Sequence, residues 1–353
     1  SITFIFFIFP SINIFLFWFY YSIISTNYQL YKGYFMVKTI FSILFLFSFY
    51  FSNTYTNCDF KNKDYSFICK KLLKRGVSVD YSNSFLLSSK TKKIDKKTLK
   101  YISPKKIKFH QKQEKIANNK LIKHIPKTKK HLKTFKKVYD LAEKKYNVNR
   151  EIIAAILLKE TFLGDYKPKH DAFVTLNTIL TNLKPNSKRN KRLINFSKNN
   201  IISLIEYCYD NNIKIAQCNF KSSYIGAVGY SQFIPTNFHL IQSYSNSFSK
   251  LDNLPDSILS TANFLNKNAN FNKLINWETF QNMKTIENNW YDFDFKTKKA
   301  SFAKNGKYNC YSCSKPELQN VKNTVLKLMK YNNSSNYAIG VLRIAYESSF
   351  SNK

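Results

Sequence analysis

From residue 60 onward, apolar positions recur every three to four residues, and no alternating run is long enough to build a large sheet. The pattern predicts a mainly α protein. Residues 67–75 read as a short helix closed by Gly76, and residues 132–145 are periodic. Asn149 stands where an N-cap would, and Glu151 follows in a first turn where the helix dipole favours negative charge. Then come Ile152, Ile153, Ala154, Ala155, Ile156, Leu157 and Leu158. A helix apolar nearly all round belongs inside a core, and Glu160 stands at its end. Residues 192–210, 256–267 and 320–330 read as further helices. Residues 90–132 are Lys-rich, broken by Pro104 and Pro126, and read as a solvated surface. There is no internal repeat.

The amino end follows another pattern. Residues 1–57 hold no Asp or Glu and two Lys, Lys32 and Lys38. Two apolar stretches cover residues 2–24, interrupted by Pro10, and 39–52. Met36-Val37-Lys38 ahead of the second stretch has the basic and apolar regions of a signal peptide, which places the expected start at Met36. If residues 2–24 are translated, they are long enough to span a bilayer, and Lys32 and Lys38 would hold the linker inside. The remainder faces outward under both readings. The expected division is a signal or transmembrane segment over 1–57, a Lys-rich helical extension over 58–133, and the main domain over 134–353.

Length and composition sharpen this picture in three ways. The chain has 353 residues, enough for about two domains. Aromatics at 17% and scarce Gly and Pro exclude a disordered chain. The formal net charge of +35 suggests a phosphate-binding partner, but only five of the 56 basic residues are Arg. Lys, Asn, Ile, Phe and Tyr share A- and T-rich codons, so base bias gives this composition whatever the function. A dedicated phosphate reader would use more Arg, and no specific nucleic-acid partner is expected. The six Cys, at 58, 69, 208, 218, 310 and 313, permit disulfides such as Cys58–Cys69 or Cys208–Cys218, though spacing leaves the connectivity open. Cys310-Tyr-Ser-Cys313 lacks the second ligand pair that zinc needs. No metal site and no cofactor are expected.

Two constellations carry chemistry. Glu160 lies in Lys159-Glu160-Thr161-Phe162-Leu163-Gly164, beside the apolar helix. Partial desolvation there would keep its carboxyl protonated near neutral pH, as a general acid for glycosidic cleavage requires. The competing reading is a helix-end carboxylate that is exposed or paired with Lys. The second constellation runs from Ser222 to Pro235. Two of the chain's seven glycines, Gly226 and Gly229, sit three apart in it, and Gly164 lies four after Glu160. Glycine at such places allows positive φ or close approach to a ligand. The hydroxyls, amide and rings around them suit a sugar. The spacing does not fit a phosphate or dinucleotide loop.

These residues bring a family into view. Glu160-Thr161-Phe162-x-Gly164 and Ser223-Tyr224-x-Gly226-Ala227-x-Gly229-x-x-Gln232-Phe233-x-Pro235 resemble the family of membrane-bound lytic murein transglycosylase B, glycoside hydrolase family 103. Tyr146-x-Val148, Asp171-Ala172-Phe173-x-Thr175-Leu176, the stretch from Asp256 through Asn263-Phe264-Leu265, and Tyr331-Asn332-x-Ser334-x-x-Tyr337-Ala338 follow in the family's order. The resemblance covers about residues 65–347. It implies a lysozyme-like helical catalytic domain over 134–353 with additional N-terminal helices. It also implies cleavage of the β-1,4 bond between N-acetylmuramic acid and N-acetylglucosamine of peptidoglycan glycan strands, leaving a 1,6-anhydro end.

The resemblance further implies that Glu160 is the single acid and base, with the substrate's acetamido group replacing a second carboxylate. Substrate contacts would fall on Ser223, Tyr224, Gly226, Gly229, Gln232, Phe233, Asn263, Phe264, Tyr331, Asn332 and Tyr337. Arg192 would meet the substrate's carboxylates. The place of work would be the periplasm or a membrane surface facing the wall, with the N-terminus as a membrane anchor. Two departures stand out. Phe264 takes the place of a family Tyr, and residues 243–255 hold neither Gly nor any acid besides Asp252, so no calcium loop is expected. Hydrolysis of the same bond by water and non-catalytic murein binding are the alternatives.

Overall fold

The computed structural model describes residues 58–245, 251–290 and 313–350. The apolar stretches of residues 1–57, with Met36, lie outside the described residues, as does Cys310. Cys58–Lys353 form one compact unit. It is built from helices: α1 (Lys63–Leu73), α2 (Val79–Leu87), α3 (Lys96–Tyr101), α4 (Pro104–Ile122), α5 (Ile125–Thr134), α6 (Lys136–Tyr146), α7 (Arg150–Thr161), α8 (Ala172–Asn182), α9 (Lys188–Asp210), α10 (Leu254–Ala269), α11 (Met283–Trp290), α12 (Lys315–Leu328) and α13 (Ser335–Ser349). Among the described residues one sheet is present. It is a short antiparallel pair of β1 (His170–Asp171) and β2 (Lys221–Ser222), with His170 opposite Ser222. No described helix is long and apolar enough to cross a membrane.

The central helix is α7. Residues Ile152 through Leu158 are all at most 1% exposed. Such burial contributes about 1.5–3 kcal/mol for each large aliphatic side chain. The long helix α13 packs along α7, α5 packs against both, and α4 packs against α13. The expected N-cap at Asn149 is occupied, but its side chain makes no capping bond. Instead its amide donates to Ile275 O at 3.0 Å and its Oδ1 accepts from Ile275 N at 2.7 Å. A loop with two peptide groups to satisfy claims the side chain that a helix end would otherwise use.

Other expectations shift by identifiable signals. The first helix begins earlier than residue 67, because Asn62 accepts from Asp64 N and caps it. The periodic stretch 132–145 is two helices that meet at Phe135. Pro104 and Pro126 stand in the first turns of α4 and α5, where the missing N–H goes unused. They start helices here. The Lys-rich stretch is therefore helical, and it buries Thr98, Asn118 and Thr128. Disulfides join Cys58 to Cys69 and Cys208 to Cys218. Cys313 is also disulfide-bonded, so its thiolate is not free for a metal.

Candidate active site

Glu160 sits in the last turn of α7. The chain leaves the helix through Phe162 and Leu163, both left-handed at φ 57° and 61°, and then Gly164 at φ 92°. Three successive positive φ values reverse the chain within one turn, and strain of this kind gathers at functional sites. Glu160 Oε1 accepts a hydrogen bond from Tyr337 Oη at 2.7 Å. Burial pushes its carboxyl up to about 7, although the Tyr337 bond and the Lys159 charge pull the other way. The negative end of the α7 dipole also disfavours a carboxylate here. A carboxyl with this pKa is protonated in a large fraction of molecules at neutral pH and can both give and take a proton.

The glycine-bearing segment folds back beneath this end. Thr161 Oγ1 donates to Tyr230 O at 3.1 Å and ties the helix end to the loop. Gly229 has φ 70°, and a Cβ there would lie 2.2 Å from Leu251 O. No side chain fits, because Tyr230 N donates to that same carbonyl at 2.7 Å. Gln232, itself left-handed at φ 50°, donates from Nε2 to Gly229 O at 2.8 Å. Phe233, Phe264 and Tyr331 form a ring cluster, with Phe264 and Tyr331 edge to face at 5.0 Å. The Tyr331 hydroxyl donates to the carbonyl of buried Ser231. Burial and the neighbouring Glu160 hold the Tyr331 and Tyr337 phenols well above their ordinary value, so both remain donors.

Comparison with known proteins decides the family. A profile described as the transglycosylase SLT domain matches residues 59–346. The chain belongs to this family. It is an enzyme that cleaves glycosidic bonds of peptidoglycan. Among solved structures, the Escherichia coli lytic transglycosylase Slt35 in complex with bulgecin A is 16% identical; the match covers 82% of this chain and 93% of that one, with a TM-score of 0.55. The soluble lytic transglycosylase SltB1 of Pseudomonas aeruginosa is 16% identical over 82% and 98%, with a TM-score of 0.53. SltB3 of Pseudomonas aeruginosa, in complex with NAG-anhNAM-pentapeptide, is 15% identical over 80% and 77%, with a TM-score of 0.51. At these identities the likeness is one of fold, the lysozyme-like helical fold expected above. No curated protein sequence matches the chain.

In this transglycosylase the residues singled out from sequence divide into three groups. Glu160, Phe233, Phe264, Tyr331 and Tyr337 form one connected cluster. Ser223, Tyr224, Gly226, Gly229 and Gln232 form the loop, where Ser223 Oγ accepts from Ala227 N at 3.3 Å and Gly226 is left-handed at φ 84°. The Tyr224 ring stacks on Tyr101 at 4.8 Å, which brings α3 of the Lys-rich stretch to the loop. The third group is elsewhere. Asn263 is buried and donates to Leu240 O at 2.9 Å, so its amide braces the backbone. The side chains of Arg192 and Asn332 are exposed and make no bond to the Glu160 cluster among the described residues.

Four contributors escaped the sequence reading. Thr161 and Ser231 tie segments together, and Lys159 and Glu114 form an ion pair beside the acid. The neighbourhood of Glu160 was the one available signal for Lys159 and Thr161. Among the described residues no group of three or more His, Cys, Asp or Glu is arranged to hold a metal. Residues 246–250, within the stretch 243–255 where no calcium loop is expected, lie outside the described residues.

Proposed function

We propose that this transglycosylase breaks the β-1,4 bond between N-acetylmuramic acid and N-acetylglucosamine and forms a 1,6-anhydro end, with Glu160 as its single acid and base. Protonated Glu160 gives its proton to the glycosidic oxygen as the C1–O bond breaks. The acetamido oxygen of the muramyl residue closes on C1 and carries the positive charge, the role a second carboxylate has elsewhere. Ionised Glu160 then takes the proton of the 6-hydroxyl, whose oxygen displaces the acetamido oxygen from C1. The proton account closes on one residue.

The observation that carries this reading is the half-buried Glu160 carboxyl at the end of α7, pushed up to about 7 and held by the Tyr337 hydroxyl. Phe233 and Phe264, expected from the resemblance to touch substrate, are buried at 2% and 4% exposure and instead back the half-buried Tyr331 ring, which is left to meet a sugar. The anhydro-muramyl fragment bound by the similar SltB3 agrees with the product. The Cys58–Cys69 and Cys208–Cys218 disulfides, with the bonded Cys313, agree with export to an oxidising compartment. The apolar amino end would deliver the chain to the wall or hold it at a membrane. Mass spectrometry of muropeptides released from purified sacculi tests the chemistry. Anhydro-muropeptides are expected. Hydrated reducing ends alone would mean that water is the acceptor and would remove the anhydro mechanism.

A further inference from the structure

Immediately before Glu160, the chain places a lysine whose side chain is 4% exposed. Lys159 Nζ donates to Glu114 Oε1 at 2.8 Å and to Asn118 Oδ1, both on α4. It also lies 4.8 Å from the centre of the Tyr337 ring, within the range of a cation–π contact. Tyr337 is the residue whose hydroxyl reaches Glu160. Asn118 in turn donates from Nδ2 to Asn336 O at 2.8 Å. Gly340 makes room for it, since a Cβ there would stand 2.3 Å from Asn118 Nδ2. Three helices, α4, α7 and α13, thus converge on one ammonium group. An exposed lysine would spend its charge in water. A buried one exerts its field on what it touches.

We propose that Lys159 is a positioning residue for the acid. Its ammonium, held by Glu114 and Asn118 and seated on the Tyr337 ring, fixes the phenol that bonds Glu160 and balances the charge of Glu114 there. The cation draws ring density toward itself, which makes the Tyr337 hydroxyl a stronger donor. Glu160 is faced by Lys159 on its own helix, by Tyr337 on α13, by Tyr331 just ahead of it, and by Glu114 on α4. The positive and negative members of the Lys159–Glu114 pair act on its proton in opposite directions. The pair links α4 to the chemistry, although Glu114 and Glu160 lie 46 residues apart.

This inference rests on Glu160 being the acid of the proposed reaction, but its test needs no turnover. The carboxyl of Glu160 is titrated by carbon-13 NMR in the substrate-free enzyme, its signal assigned by its absence in Glu160→Gln. Lys159→Met is expected to move the midpoint up by on the order of one unit, and Glu114→Gln to move it down. Lys159→Arg, which keeps the charge, is expected to stay near wild type. Opposite signs cannot come from loosened packing alone. Shifts of the same sign, or none, would overturn the proposal. Should Lys159→Met fail to fold, Glu114→Gln decides alone: a downward shift supports the proposal and an unmoved midpoint overturns it. Product analysis of the wild type reads the reaction separately, so hydrated products beside these shifts would fault the mechanism and leave the field intact.

Discussion

Helix α7 carries a carboxylate at each end. The two differ in the one respect that catalysis needs. Glu151 lies in the first turn and Glu160 in the last, about 14 Å apart along the axis at 1.5 Å per residue. Burial raises both carboxyls above their ordinary value. At the amino end, its own backbone N–H, the Trp277 indole at 3.3 Å and Arg150 favour the ionised form of Glu151, while Glu143 opposes it. At the carboxyl end there are no such amides. Glu160 meets a phenol, the helix dipole opposes its charge, and its pKa reaches about 7. Burial alone does not make an acid catalyst. Burial is the largest cause at both ends; at the amino end nearby donors offset it, and at Glu160 it carries the carboxyl to about 7.

The largest expected effect comes from removing each carboxyl in turn. Glu160→Gln should lower the release of muropeptides by about 100- to 10,000-fold, the size of lost general acid–base catalysis. Glu151→Gln should stay within about threefold of wild type. Equal losses would erase the distinction between the two ends.

Stability gives a second view. A carboxyl whose folded pKa is raised contributes stability that is complete below the unfolded value near 4.5 and is lost as pH rises through about 7. Glu160→Gln removes that loss. Its advantage over wild type should grow by about 3 kcal/mol between pH 4.5 and pH 8, read by urea unfolding at both. An advantage that does not grow with pH would show that Glu160 is not held protonated in the folded enzyme.

Much of the carboxyl-terminal end of this comparison was legible in the sequence. The run from Ile152 to Leu158 is long and apolar on every face, which dictates burial before any partner is known. Glycine is scarce enough that Gly164, Gly226 and Gly229 mark turns by themselves, and all three have positive φ. The partners of Glu160 were harder to see. Lys159 and Glu114 attract across helices, and nothing local in Lys-rich α4 distinguishes Glu114 from a solvated acid. Asn149 was read as a cap because capping is local, yet its amide serves a loop 126 residues away. Helix α13 was missed although Ser334 caps it and Tyr337 through Ala345 are buried throughout. Phe264, which the resemblance assigned to the site in place of a Tyr, is buried and meets Tyr331 edge to face.

Two smaller effects sharpen the account. Tyr337→Phe removes the donor to Glu160, a bond of about 1–2 kcal/mol. Activity should fall about tenfold, and the Glu160 midpoint should rise, because the bond now lowers it. Steady-state rates across pH check both, and a downward midpoint would contradict the assigned role. Replacing Cys58 and Cys69 together with Ser should cost about 2–4 kcal/mol in unfolding experiments. The Glu160 midpoint should not move, since the disulfide braces α1 and touches none of the acid's partners.

The most direct test of the central claim is the pH dependence of kcat/KM for the wild type on a soluble glycan-strand substrate. The acid form of Glu160 must start the reaction, so the profile should hold its level on the acid side of about 7. It should fall tenfold per unit above, and Glu151→Gln should share that midpoint. A midpoint near 4.5, or a rate level from pH 6 to pH 9, would contradict the claim that α7 presents a protonated carboxyl to the substrate.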